Sequence, residues 1–113
     1  MTATNGAERF ALVLTTAATD EQAGTIADAL VESGLAACVN IVGPIRSIYR
    51  WKGEICRDEE RLLLVKTTVA RFEEVRRRIR AVHTYELPEV VLVPLGAGDP
   101  DYLEWIAASV ASP

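Results

Sequence analysis

Between Ala36 and Thr67 the chain carries the pattern of one long β-hairpin, and few folds accommodate a ribbon of that length. The tip is Trp51-Lys52-Gly53-Glu54, where a glycine supplies the positive φ that a tight turn demands. Ile41, Ile45, Ser47, Tyr49 and Trp51 precede the tip on one parity, and Ile55, Arg57, Glu59, Arg61, Leu63 and Val65 follow it on one parity. Period two with β-branched and aromatic side chains marks strands. Gly43-Pro44 interrupts the first arm, which predicts a bulge or bend and an edge position in the sheet.

Arms of roughly 14 residues, at about 3.3 Å each, give a ribbon of about 45 Å. A compact chain of 113 residues has a radius of gyration of about 13 Å. The ribbon therefore overhangs its own domain and presents Tyr49 and Trp51 to a neighbour. An obligate oligomer is the expectation.

The other elements follow from local signals. An apolar run from Phe10 to Leu14 has strand length, and a helix from about Asp20 to Ser33 carries Ala23, Ile26, Ala27, Leu30 and Val31 as its stripe. Thr19 with Gln22 reads as its capping box and Gly34 as its C′ residue. A second helix spans about Val69 to Val82, with Val69, Phe72, Val75, Ile79 and Val82 inward. Its arginine-rich remainder reads as a solvated face, in a chain whose 12 basic and 16 acidic residues leave a net charge of −4. That balance excludes general nucleic-acid binding. A strand at Val90 to Leu95, a turn at Gly96-Ala97-Gly98 and a last helix capped by Asp99 with Pro100 at N1 complete the chain.

The order is that of an α+β, ferredoxin-like βαββαβ sandwich with an extra C-terminal helix. Phe10–Leu14, Leu62–Val65 and Val90–Leu95 are continuous apolar runs, the mark of strands buried on both faces. One chain's helices cover only one face, so partner subunits are expected on the other. Residues 1–8, small and polar, read as a flexible tail ahead of a single domain over 9–113. They hold no basic start and no apolar run, and no stretch reaches the roughly 20 apolar residues of a membrane span. The expected address is the cytoplasm, with no membrane partner. Cys38 and Cys56 lie about 36 Å apart along the ribbon, too far for an intrachain disulfide.

Five segments, in order, resemble the CutA divalent-cation tolerance proteins: Leu35–Ile41, Ser47–Ile55, Lys66-Thr67-Thr68, His83–Glu89 and Asp101–Trp105. The resemblance covers about residues 8 to 110. It implies a homotrimer similar in architecture to the PII signalling proteins, and the binding of copper or another divalent cation. Two positions depart from the pattern. Thr15 stands where some members place a cysteine proposed as a copper ligand, and Thr84 follows the loop histidine where others have proline.

Candidate sites are weighed residue by residue. His83, the one imidazole, is the natural ligand for a borderline metal, though a lone histidine at a helix end is commonly a cap. Cys38 is the second candidate metal residue, and taken alone reads as a small buried hydrophobe. Glu54, Asp58, Glu59 and Glu60 suit hard cations, or serve as a charged strand edge. Tyr49, Trp51, Glu60, Lys66, Tyr85 and Glu86 form a further set that either locks a subunit interface or lines an intersubunit cleft for a small anionic ligand. No nucleophile signature and no organic-cofactor motif is present, so the chain reads as a non-enzyme. A metal-binding tolerance protein is the leading reading. A PII-like trimeric sensor is the alternative, and an enzyme using the same clefts a weaker one.

Overall fold

The computed structural model describes residues 9–110, so the tail expected at residues 1–8 lies outside the described residues. The elements are β1 (Phe10–Ala17), α1 (Asp20–Glu32), β2 (Cys38–Trp51), β3 (Glu54–Thr68), α2 (Phe72–Val82), β4 (Val91–Pro94) and α3 (Pro100–Ser109). The sheet order is β2-β3-β1-β4 with every neighbouring pair antiparallel, the ferredoxin-like arrangement.

Local chemistry sets the helix ends. Thr19 accepts the Gln22 N–H at 3.1 Å, but the Gln22 side chain, rather than closing a capping box, donates to Val82 O at 3.2 Å. Gly34, at φ 75°, reverses the chain after α1 while Leu35 N and Ala36 N bond back to Leu30 O. Asp99 accepts the Tyr102 N–H with Pro100 in the first turn. Val69–Arg71, expected as the first turn of α2, forms a 3₁₀ turn instead. Arg71 there has φ −96° and ψ 2°, off the α-helical values.

Core packing follows the alternation of β1 and β3. Val13 and Ala17 on β1, with Leu63 and Val65 on β3, are buried beneath Ala23, Ile26 and Leu30 of α1 and Val75 and Ile79 of α2. Val31, expected in the α1 stripe, is 43% exposed. The opposite parity, Leu12, Leu14, Leu62 and Leu64, is only half-buried. Val42, Val91 and Val93 on that same side are exposed. The helix α3 covers one end of this second face, where Phe10, Leu103 and Ile106 form a separate cluster.

Lys52 (φ 50°) and Gly53 (φ 82°) close the hairpin as a two-residue turn. The strand β1 pairs β3 only from Arg61 to Thr68, so the ribbon from Ile45 to Glu60 stands free of a third strand. The molecule is accordingly elongated, 48 × 25 × 22 Å with a radius of gyration of 14.7 Å. Between Val42 and Ile45 the register shifts by one residue at Gly43-Pro44, a bulge on the edge strand. An uninterrupted parity would keep Ile45, Ser47, Tyr49 and Trp51 with Ile41 on the helix side. The extra residue transfers them to the open side, opposite Glu60, Asp58, Cys56 and Glu54.

Candidate functional site

The bulge determines what the overhang displays. Past it, Tyr49 and Trp51 project from the same side of the ribbon as Asp58 and Glu60. The loop after α2 runs alongside, and together they enclose a groove of about 890 Å³. Thr16 at the end of β1 and Tyr85, Glu86 and Glu89 of the loop form its inner wall.

Two phenol–carboxylate pairs organise the groove. Tyr85 Oη donates to Glu60 Oε2 at 2.6 Å, with Glu60 buried to 8% exposure. Burial first, and the Glu60 bond second, hold the Tyr85 hydroxyl protonated well above the usual tyrosine range. Tyr49 Oη donates to the Asp58 carboxylate. That bond is the main reason the Tyr49 pKa is pushed up to about 12. At the rim Lys52 lies 5.5 Å from the Trp51 ring centroid and 4.0 Å from Glu86.

His83 ends α2 and orients the loop. Its Nε2 lies 2.7 Å from Thr16 O, and a carbonyl oxygen only accepts, so Nε2 carries the proton. The Nδ1 lone pair accepts the Tyr85 N–H at 3.1 Å, and the two rings make a tilted contact with centroids 4.6 Å apart. Both nitrogens are engaged.

Cys38 sits elsewhere, paired across the ladder with Lys66 on the half-buried side of the sheet. Lys66 Nζ contacts Asn40 Oδ1 and lies 3.9 Å from Cys38 Sγ. Six residues separate Lys66 from Glu60, about 20 Å of strand. Within one chain, Tyr49, Trp51, Glu60, Tyr85 and Glu86 therefore share a groove, while Lys66 and Cys38 form a second locus. Among the described residues no group of three or more His, Cys, Asp and Glu side chains is placed to hold a metal ion. The groove also recruits Glu89, which the sequence pattern offers only as one more loop carboxylate.

A ferredoxin-like sheet, half-covered on one side and extended by an overhanging acidic hairpin, defines the class. Within it, residues 11–109 match the family model of the CutA1 divalent ion tolerance protein. The chain is 52% identical over 95 residues to a divalent-cation tolerance protein CutA of Thermus thermophilus, an alignment spanning 84% of this chain and 92% of that one. It is 45% identical over 87 residues to a CutA homolog of Xenopus laevis, covering 77% of this chain and 58% of the longer relative. Among solved structures, the Thermus thermophilus protein superposes with a TM-score of 0.88 at 48% identity, covering 90% of this chain and 99% of that one. CutA1 of Oryza sativa gives 0.90 at 34% identity, covering 93% and 96%. The chain belongs to the CutA1 divalent ion tolerance family. No helix among the described residues is long and apolar enough to cross a membrane.

Proposed function

We propose that this chain serves divalent-cation tolerance as a homotrimer that binds copper or another divalent cation near the hairpin groove. The observation that carries the reading is the groove's charge: Asp58, Glu59, Glu60, Glu86 and Glu89 line it, with Lys52 at its rim. His83 adds a nitrogen donor beside it. Its Nε2–H bond to Thr16 O is the kind of outer bond that orients a ligating imidazole. Copper at Nδ1 displaces the Tyr85 N–H, and donors from a second copy, the carboxylates or Cys38, complete the shell. The half-buried sheet face and the free ribbon support the trimer. Both cysteines are free, in keeping with a cytoplasmic address. The locked imidazole is a poor general base, which favours binding over catalysis.

A second reading, a PII-like sensor of a small molecule, draws on the aromatic walls Tyr49, Trp51 and Tyr85. With Lys66 about 20 Å along the strand, the lining selects a cationic ligand rather than an anionic one.

Calorimetric titration of untagged wild type and His83→Ala with Cu²⁺ tests the first reading. The variant loses most copper binding and keeps its oligomeric mass, and wild-type affinity falls on acidification as protons compete for the ring. Unchanged binding in the variant moves the site to Cys38 or the carboxylates. No specific binding by wild type leaves the small-molecule reading in place.

A further inference from the structure

The arginine-rich helix α2 has a face that the groove does not use. Arg71, Glu74, Arg78 and Ala81 follow one another at helical spacing, and with Arg77 they face Ser33 and Leu35 in the turn that ends α1. The depression between them has a volume of about 460 Å³. It lies in the helix layer, on the side of the sheet opposite the half-covered face.

Arg71 is the anomaly in it. The residue is 6% exposed and its side chain 8%, yet among the described residues Nε and Nη1 make no hydrogen bond. Glu74 Oε1 forms an ion pair with Nη1 at 2.8 Å, and nothing among the described residues answers Nε. Two carbonyls near the end of α1 are already engaged. Leu30 O accepts from Leu35 N, Ala36 N and Ser33 Oγ, and Val31 O accepts from Gly34 N. A buried guanidinium with a free Nε–H leaves a charged donor desolvated and unanswered.

The surroundings specify the missing acceptor. Arg77 and Arg78 line the same depression, and neither makes an ion pair among the described residues. Three guanidinium groups against the single carboxylate of Glu74 give a local excess of two positive charges, in a chain of net charge −4. Several guanidinium groups around one depression suit a tetrahedral oxyanion, whose several oxygens accept at once. A planar carboxylate satisfies one fork only.

We propose that this depression is a binding site for a phosphate group, free or as the monoester of a small metabolite. Arg71 lies on the floor of the depression with Nε and Nη1 covered, so a shift of its side chain brings those N–H groups to the phosphate as Arg77 and Arg78 close on it from the helix surface. The site is independent of the divalent-cation reading. It stands on the outer helix layer and remains open in a trimer built on the sheet face.

The test is an NMR titration of ¹⁵N-labelled full-length protein, following the arginine Nε–H resonances. Inorganic phosphate and glycerol phosphate are added at constant ionic strength against chloride, and the Arg71 resonance is assigned by its loss in Arg71→Lys. Phosphate moves the Arg71 signal saturably and chloride does not. In Arg77→Gln/Arg78→Gln, which leaves the buried Arg71 in place, the midpoint rises about tenfold. Response to both compounds identifies the phosphate group as the recognised element, and response to inorganic phosphate alone identifies the free ion. An Arg71 signal that does not move beyond the chloride control overturns the proposal, as does an unchanged midpoint in the double variant. Should Arg71→Lys fail to fold, assignment by through-bond correlation to the Arg71 backbone leaves both criteria intact.

Discussion

The body of the molecule and the overhanging ribbon are built from the same strands, yet they are held in place by different things. Around Leu63, Val65 and Val13 the sheet is sealed by α1 and α2, and those side chains have no exposed surface. Beyond Arg61 the same β3 strand has one neighbour instead of two and carries exposed Ile55, with Ile48 and Tyr49 exposed across from it. A two-stranded ribbon is marginal by itself in water. The body is closed on one face by its own helices, whereas among the described residues nothing covers the exposed side chains of the ribbon.

Substitutions separate the two regions. Leu63→Ala removes a fully buried side chain and leaves a cavity between the sheet and both helices. A loss of about 2–5 kcal/mol is expected, read from chemical denaturation. A loss under about 1 kcal/mol would place the core elsewhere. Trp51→Ala strikes the ribbon instead. It reduces assembly by about 3 kcal/mol, while far-ultraviolet dichroism of the body is unchanged. A variant that keeps its mass and its melting temperature breaks the contrast, since Trp51 then anchors nothing.

A smaller effect probes the ribbon from within. Tyr49 holds its proton more tightly in the folded chain because its hydroxyl donates to Asp58, which raises the pKa to about 12. The sign follows from linkage: the bond contributes fully below the unfolded value of about 10, and its contribution fades as pH rises through about 12. Asp58→Asn should return the Tyr49 midpoint toward about 10, followed by tyrosinate absorbance. A midpoint that stays at its wild-type value would assign the shift to something other than the Asp58 bond.

Much of the fold was legible because it rests on short-range chemistry. The Thr19 cap, the Asp99-Pro100 helix start, the Gly34 stop and the Lys52-Gly53 turn each involve residues within a few positions of one another. The βαββαβ order followed from them, and the overhang from strand length alone. Gly43-Pro44 announced an irregularity, but not that one extra residue would carry Tyr49 and Trp51 to the other side of the ribbon. A parity count has no way to see an inserted residue until the partner strand is in register.

The site was legible as a set of residue types and less so as a place. Tyr49, Trp51, Glu60, Tyr85 and Glu86 share a groove made by one ladder and one loop of a single chain, whereas the sequence pattern suggests a subunit interface or a cleft between subunits. Lys66 shares their strand side yet lies far along it, which leaves the lining of the groove acidic. The His83 tautomer depends on Thr16, 67 residues away. The arginine run read as one solvated face because only the packing of the α1 turn distinguishes buried Arg71 from its exposed neighbours.

The central claim is that the open sheet face and the free ribbon are completed by two more copies of the chain. Sedimentation equilibrium at micromolar concentration measures this without labels or ligands. The account predicts a single species of three times the 12.3 kDa chain mass, and a stable monomer would contradict it.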